Sequence, residues 1–260
     1  MRYFHFIISF FILLMSSCSP STWQSLLDSD QLSNDEVVEG LKTALDIGTD
    51  KAVNLVSLPD GYLKDKAIKI ILPPEAEDAV NSLRKAPGGE QIYQIALSSI
   101  VEDLIVAINR SASDAAKEAS PIFKNAIKSM SIQDGWLILK GDYKTAGDIS
   151  ATTYFKDKTY VQLSNLYVPK IDVSLDKNLI GNTSTNDIWN KFVSAYNKVA
   201  RSPVNLLMDI KPVKDPDLST YVTNRALDGL FFKVSVEEQK IRENPYGYAS
   251  QIIEKVFGNN

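Results

Sequence analysis

Histidine and cysteine each occur once in this 260-residue chain, as His5 and Cys18, and both fall within the first eighteen residues. From Ser19 onward there is neither. That excludes Ser-His-Asp triads, Cys-His dyads, imidazole acid–base catalysis and His- or Cys-based zinc sites from the body of the protein. An internal disulfide is excluded as well, so stability must come from packing. The 12 glycines never fall as G-x-G and none precedes a lysine, which removes dinucleotide and phosphate-cradling loops. No G-x-S-x-G elbow occurs either. With 28 basic against 32 acidic residues, the net charge of −4 argues against a nucleic-acid partner.

Long apolar runs are scarce too, and the one that stands out is at the start. Phe6–Met15 is interrupted only by Ser9, follows Arg2 and the α-amino group, and leads into Ser16 and Ser17. This is the layout of a secretory signal peptide over residues 1–17, too short for the roughly 20 residues of a spanning helix. Leu14-Met15-Ser16-Ser17-Cys18 resembles the bacterial lipobox. The resemblance implies cleavage after Ser17, acylation of Cys18 and anchoring through the N-terminal lipid. Met15, where Leu is more usual, weakens the match. The alternative is an ordinary signal peptide cut near Ser17, with Cys18 an incidental thiol. Residues 18–26 then form the lipidated Cys and its tether, and 27–257 a helical domain. Ser19, rather than Asp, follows the cysteine and favours the outer membrane over the inner. The chain is expected in the bacterial cell envelope, facing the periplasm.

The body reads as all-α, a multi-helix bundle. Ser33 and Glu36 have capping-box spacing ahead of Val37, Leu41, Ala44, Leu45, Gly48, Ala52 and Leu55, which recur at helical period. Pro59-Asp60-Gly61 breaks this helix, a short amphipathic piece follows, and Pro73-Pro74 opens the next helix, which Ala86–Gly89 ends. Glu90 to about Ser120 reads as one central helix, with a Leu97, Ile100, Val101, Leu104, Ile105, Ile108 stripe and Pro121 ending or kinking it. Ser131–Asp134 caps a short helix stopped at Gly141. Further helices are expected near 150–167, 170–179, 185–200, 217–243 and 246–257. Ile68–Leu72 and Tyr160–Val168 are the only strand-like runs. Gly141–Gly147 is turn-rich and leaves room for two tightly packed helical subdomains.

No residue is assigned a catalytic, metal or cofactor role. Two S-x-x-K matches, Ser82–Lys85 and Ser174–Lys177, sit on expected surface helices at chance frequency for 26 serines and 22 lysines. Asp28 with Asp30 and Asp215 with Asp217 read as cap and turn residues rather than cation ligands. Glu237, Glu238 and Glu243 read as a solvated helix face with pairs such as Glu238–Arg242. Tyr154 and Lys158 share a helix face that suits a membrane surface or a glycan, though a partly buried helix with snorkelling lysines explains them too.

The blocks at 41–57, 61–73, 121–142, 151–160 and 226–245 resemble bacterial domain-of-unknown-function family 4197, from about Leu27 to Phe257. The resemblance implies a short exported protein, often a lipoprotein, with no established activity and no catalytic residue to carry over. Gly61, Tyr62, Trp136, Gly141, Tyr154, Phe155, Arg242, Asn244 and Pro245 fall in those blocks, with turn and packing roles expected for the glycines, Pro245 and the aromatics. The expectation is a lipid-anchored, non-enzymatic module that binds an envelope protein, peptidoglycan or a lipid. The alternatives are an envelope hydrolase using Asp and Glu alone, or a carrier of an apolar ligand.

Overall fold

The structure is a computed structural model that describes residues 32–133, 135–141, 150–214 and 217–258. Cys18, Ser17, the tether, Asp28 and Asp30 lie outside the described residues, as do Asp134, Asp215 and most of the 141–147 stretch.

The all-α expectation holds. Among the described residues there are ten α-helices: α1 Asn34–Val56, α2 Pro74–Lys85, α3 Gly89–Ala96, α4 Ser98–Ala116, α5 Ala119–Ser129, α6 Gly135–Lys140, α7 Ala151–Leu175, α8 Thr185–Ala200, α9 Leu218–Glu243 and α10 Gln251–Phe257. Two 3₁₀ turns, Pro203–Leu207 and Pro245–Gly247, accompany them. A two-stranded antiparallel ribbon, β1 Asn178–Ile180 and β2 Thr183–Ser184, links α7 to α8.

Local chemistry starts the helices as the spacing predicts. Ser33 and Glu36 close a capping box at α1, and Ser184 does the same with Asp187 at α8. The long helices α1 and α7 flank α9, α4 packs on α7 and α8, and α5 bridges α1 and α7. Phe123 of α5, Phe155 and Tyr160 of α7 and Phe231 of α9 meet at ring separations of 5.2 to 6.1 Å and fill the centre. One apolar core joins residues from Val37 to Phe257.

Several expectations need correction. Leu55 points to solvent, although the other positions of its stripe are buried. The segment from Glu90 is not one helix: it breaks at Leu97, where α3 and α4 meet at 58°, and again at Lys117–Glu118. Leu97 is wholly buried at that bend, so burial of one side chain outweighs continuity of the ladder. Pro121 does not end a helix. It sits in the first turn of α5, where the missing N–H has no intrahelical acceptor to lose. Conversely, α7 runs straight through Pro169, where a break is expected, with Tyr167 and Ile171 buried on either side of it. Tyr160–Val168 is therefore helix. On the C-terminal side, 245–247 is 3₁₀ and only Gln251–Phe257 is α-helix.

The short amphipathic piece after Gly61 forms turns and extended chain over residues 62–72. Ile68, Ile70 and Leu72 alternate into the core as a strand would. Their strand partner is a side chain: Asn109 of α4 accepts from Ile70 N–H at 2.9 Å and donates to Ile70 C=O at 2.7 Å.

Candidate functional site

The charged pair on α9 is the largest surprise. Glu237 and Glu238 are 4% and 2% exposed, so the solvated face expected for 237–243 is wrong at both. The predicted Glu238–Arg242 pair does form, at 2.8 Å, but inside the protein. Glu238 also accepts from Ala151 N–H at 3.0 Å, Thr152 N–H at 2.8 Å and the Thr152 hydroxyl at 2.6 Å. It thereby satisfies the first free donors of α7, where a carboxylate is favoured by the helix dipole. Arg242 donates to Leu139 C=O at 2.7 Å and Ile138 C=O at 3.2 Å, the free acceptors at the end of α6.

Glu237 is held by Lys51 at 2.6 Å, the Tyr248 hydroxyl at 2.7 Å and Lys240 at 3.0 Å. Burial alone would raise its pKa, but those three hydrogen bonds outweigh burial and keep it below the usual range. Glu243 is exposed and accepts from Gln239 at 2.9 Å.

The other singled-out residues separate. Ser82 and Lys85 are exposed on α2. Ser174 is not on the surface: it is 2% exposed, and its hydroxyl donates to Asp114 Oδ2 at 2.9 Å, while Lys177 reaches the same carboxylate at 2.6 Å. Burial pulls Asp114 up, but Lys177, Lys117 and Ser174 prevail and hold it at about 2. Ser174 and Lys177 thus both point their donors at Asp114 and not at each other, which is not the arrangement of a serine nucleophile and its lysine base. Asp217 caps α9 by accepting from Thr220 N–H at 3.0 Å. Among the described residues no group of three or more acids forms a metal site. Gly61 is required sterically, since a Cβ there would lie 2.3 Å from the Val56 carbonyl oxygen.

The surface grooves among the described residues include three of several hundred cubic ångström. A cleft of about 420 Å³ between α5 and α7 brings together Tyr154 and Lys158, whose ammonium lies 5.5 Å from the Tyr154 ring centre. The Tyr154 hydroxyl is already committed to Ser131 C=O at 2.9 Å. A second cleft, about 480 Å³, lies between α2 and the 209–214 segment and is lined by Glu75, Asp78 and Asp209 as well as Lys211 and Lys214.

The third, about 600 Å³, runs between α1 and α5. Val38 and Ile127 lie between Asp35, Glu39 and Asp46 on α1 and Lys124 and Lys128 on α5. Lys42 caps the end of α5 by donating to Lys128 C=O at 3.1 Å, and Lys124 is fixed by Asp50 at 2.7 Å. Helix α1 opens this groove with its first turns, so the groove lies beside the point where the described chain begins. Sequence reasoning missed it because α5 lies some 86 residues from α1, as the Lys42–Lys128 contact records.

Comparison with known proteins gives one match. The family model described as "Protein of unknown function (DUF4197)" covers residues 31–258. Nothing matches among curated proteins or solved structures.

Proposed function

Because the chain belongs to the DUF4197 family, whose description carries no activity, we propose a function from the residues themselves: a lipid-anchored, periplasm-facing module of the bacterial envelope that binds an envelope protein in the α1–α5 groove. The lipobox-like Leu14–Cys18 supports the anchor. Cys18 and Leu32 are 14 residues apart, a stretch of chain that can reach at most about 50 Å, which limits how far the groove beside α1 can lie from an anchor at Cys18.

The observation that favours binding over hydrolysis is the direction of the carboxyl shifts. A carboxylate-only hydrolase needs one acid with a raised pKa to protonate its leaving group. Among the described residues the displaced carboxyls, Glu36, Asp60, Asp65, Glu90, Asp114, Asp187, Asp217 and Glu237, all move down. Such groups are held as fixed anions. The hydrolase reading keeps one foothold, the cleft shared by Glu75, Asp78 and Asp209.

Cell fractionation with Cys18→Ala tests the anchor: loss of membrane retention or of processing is expected, and unchanged retention and size would refute it. A photo-crosslinking residue at Val38 should capture an envelope protein in intact cells, with a matched probe at Leu166 on α7 giving none. Cleavage of an envelope substrate by pure protein, abolished by Asp78→Asn or Asp209→Asn, would replace binding with hydrolysis.

A further inference from the structure

The stretch from Lys198 to Lys214 carries four cations, Lys198, Arg201, Lys211 and Lys214, against a single carboxylate, Asp209, within a chain of net charge −4. None of the four makes an ion pair among the described residues. Glu75 and Asp78 of α2 share the neighbouring cleft with Lys211 and Lys214.

At the tip of this stretch is the 3₁₀ turn Pro203–Leu207, and its surface polarity is inverted. Leu206 is 90% exposed, Leu207 76% and Val204 48%. The turn cannot fold these side chains inward, because its backbone is tied from behind. Met208, Ile210 and Val213 are buried. The Asn205 carboxamide accepts from Ile210 N–H at 2.8 Å and donates to the carbonyls of Ile210 at 3.0 Å and Ala200 at 2.7 Å. Asn197 grips Val213 in the same way, at 2.8 and 3.1 Å. Asp209, at φ 51°, turns the chain back with its N–H bonded to Asn205 C=O at 2.9 Å. Polar residues are thus spent on the inside of the loop and apolar ones are held out at its end.

An apolar tip flanked along the chain by cations that make no ion pair among the described residues suits a bilayer surface, where lipid phosphates take the cations and the acyl boundary takes the aliphatic side chains. We infer that the 203–207 turn is a membrane-contacting tip: Leu206, Leu207 and Val204 enter the headgroup–acyl boundary while Arg201, Lys211 and Lys214 rest on lipid phosphates. The inference goes beyond the anchor at Cys18 and does not require it.

The test uses the whole chain with Cys18→Ala, which makes an introduced Leu206→Cys the only thiol and removes any acyl anchor. Leu206→Cys is labelled with an environment-sensitive fluorophore and mixed with vesicles of phosphatidylcholine, alone or with half phosphatidylglycerol. Position 206 is so exposed that the fold is not at stake. On anionic vesicles the label should be quenched by doxyl-labelled lipid and shielded from aqueous iodide. The same label at Val161→Cys, 74% exposed on α7, should behave oppositely. Neutralising Arg201, Lys211 and Lys214 to glutamine should lower the inserted-to-free ratio at position 206 about a hundredfold. A label at 206 that stays open to iodide on vesicles overturns the inference. So does shielding that grows with protein concentration without lipid, which would make the tip a contact between copies of the chain.

Discussion

Glu238 and Arg242, one turn apart on α9 and joined at 2.8 Å, hold both ends of the connection between α6 and α7. Glu238 takes the opening N–H groups of α7, and Arg242 takes the closing carbonyls of α6. The pair works as an internal clip on four backbone groups at the two helix ends, with the Thr152 hydroxyl as a further partner. Arg242→Met would strand a buried carboxylate and two carbonyls, and should cost about 3–5 kcal/mol. Adding Glu238→Gln should recover part of that, because the uncompensated charge is gone. The exposed Glu36–Lys255 pair is the control, with Lys255→Ala expected to cost far less than Arg242→Met. Urea unfolding of the three variants measures this, and equal costs for Arg242→Met and Lys255→Ala would refute the clip.

The same pair marks where sequence reasoning ends. An i,i+4 glutamate and arginine can be read from spacing, and so can the capping boxes at Ser33 and Ser184, because every participant lies within one turn. Burial of Glu238 cannot, since the α7 groups bonded to it come from residues 86 and 87 positions away. Prolines failed as punctuation for a related reason. Pro121 and Pro169 each sit where an apolar sequence either needs no donor or has enough buried contact to continue without one. The 68–72 segment carries strand-like alternation but, like the extended chain at 208–213, is held by an asparagine carboxamide, and no local pattern points to a partner such as Asn109, 39 residues on. At the candidate site, Cys18 is a sequence motif alone, whereas the α1–α5 groove exists only after folding.

Asn109→Ala should be among the costliest single truncations. The side chain is wholly buried and makes three hydrogen bonds, to Ile70 N–H, Ile70 C=O and Ile105 C=O. Losing it leaves both polar groups of Ile70 unpartnered in the core, at about 1–3 kcal/mol for each. Thermal unfolding should show the drop, with the amide protons of Ile68–Leu72 exchanging early in the variant. Exchange there that stays as slow as in the parent would mean the carboxamide is dispensable.

Two fully buried tyrosines give opposite predictions for the same chemical change. The Tyr62 hydroxyl donates to Ala226 C=O at 2.8 Å. The Tyr167 hydroxyl has no partner among the described residues. Tyr62→Phe therefore removes a bond and leaves a buried carbonyl short, costing about 1 kcal/mol or more. Tyr167→Phe removes only an unsatisfied oxygen, and should be neutral or stabilising by about 1 kcal/mol. Denaturant midpoints of the two variants on either side of the parent are the expected result. A larger loss for Tyr167→Phe than for Tyr62→Phe would reverse the assignment of the two hydroxyls.

Acid should unfold the protein through Asp114 more than through a typical surface carboxylate. Its folded pKa of about 2 lies below the ordinary aspartate value of 3.8, because Lys177, Lys117 and Ser174 overcome the cost of burying it. A carboxyl with a depressed folded pKa stabilises the fold above its unfolded value, and that contribution is lost as protons are forced on. The loss should therefore run from about pH 4 down to pH 2, and little should change from pH 5 to 7 on this account. Asp114→Asn removes the charge at every pH, so it should lower stability at pH 7 by on the order of 2 kcal/mol and flatten the profile below pH 4. Helix α4 would also lose its side-chain tie to Ser174 of α7, so the separation of the two effects comes from the slope and not from the offset. A variant whose stability falls between pH 4 and 2 as steeply as the parent's would assign the acid sensitivity to other carboxylates.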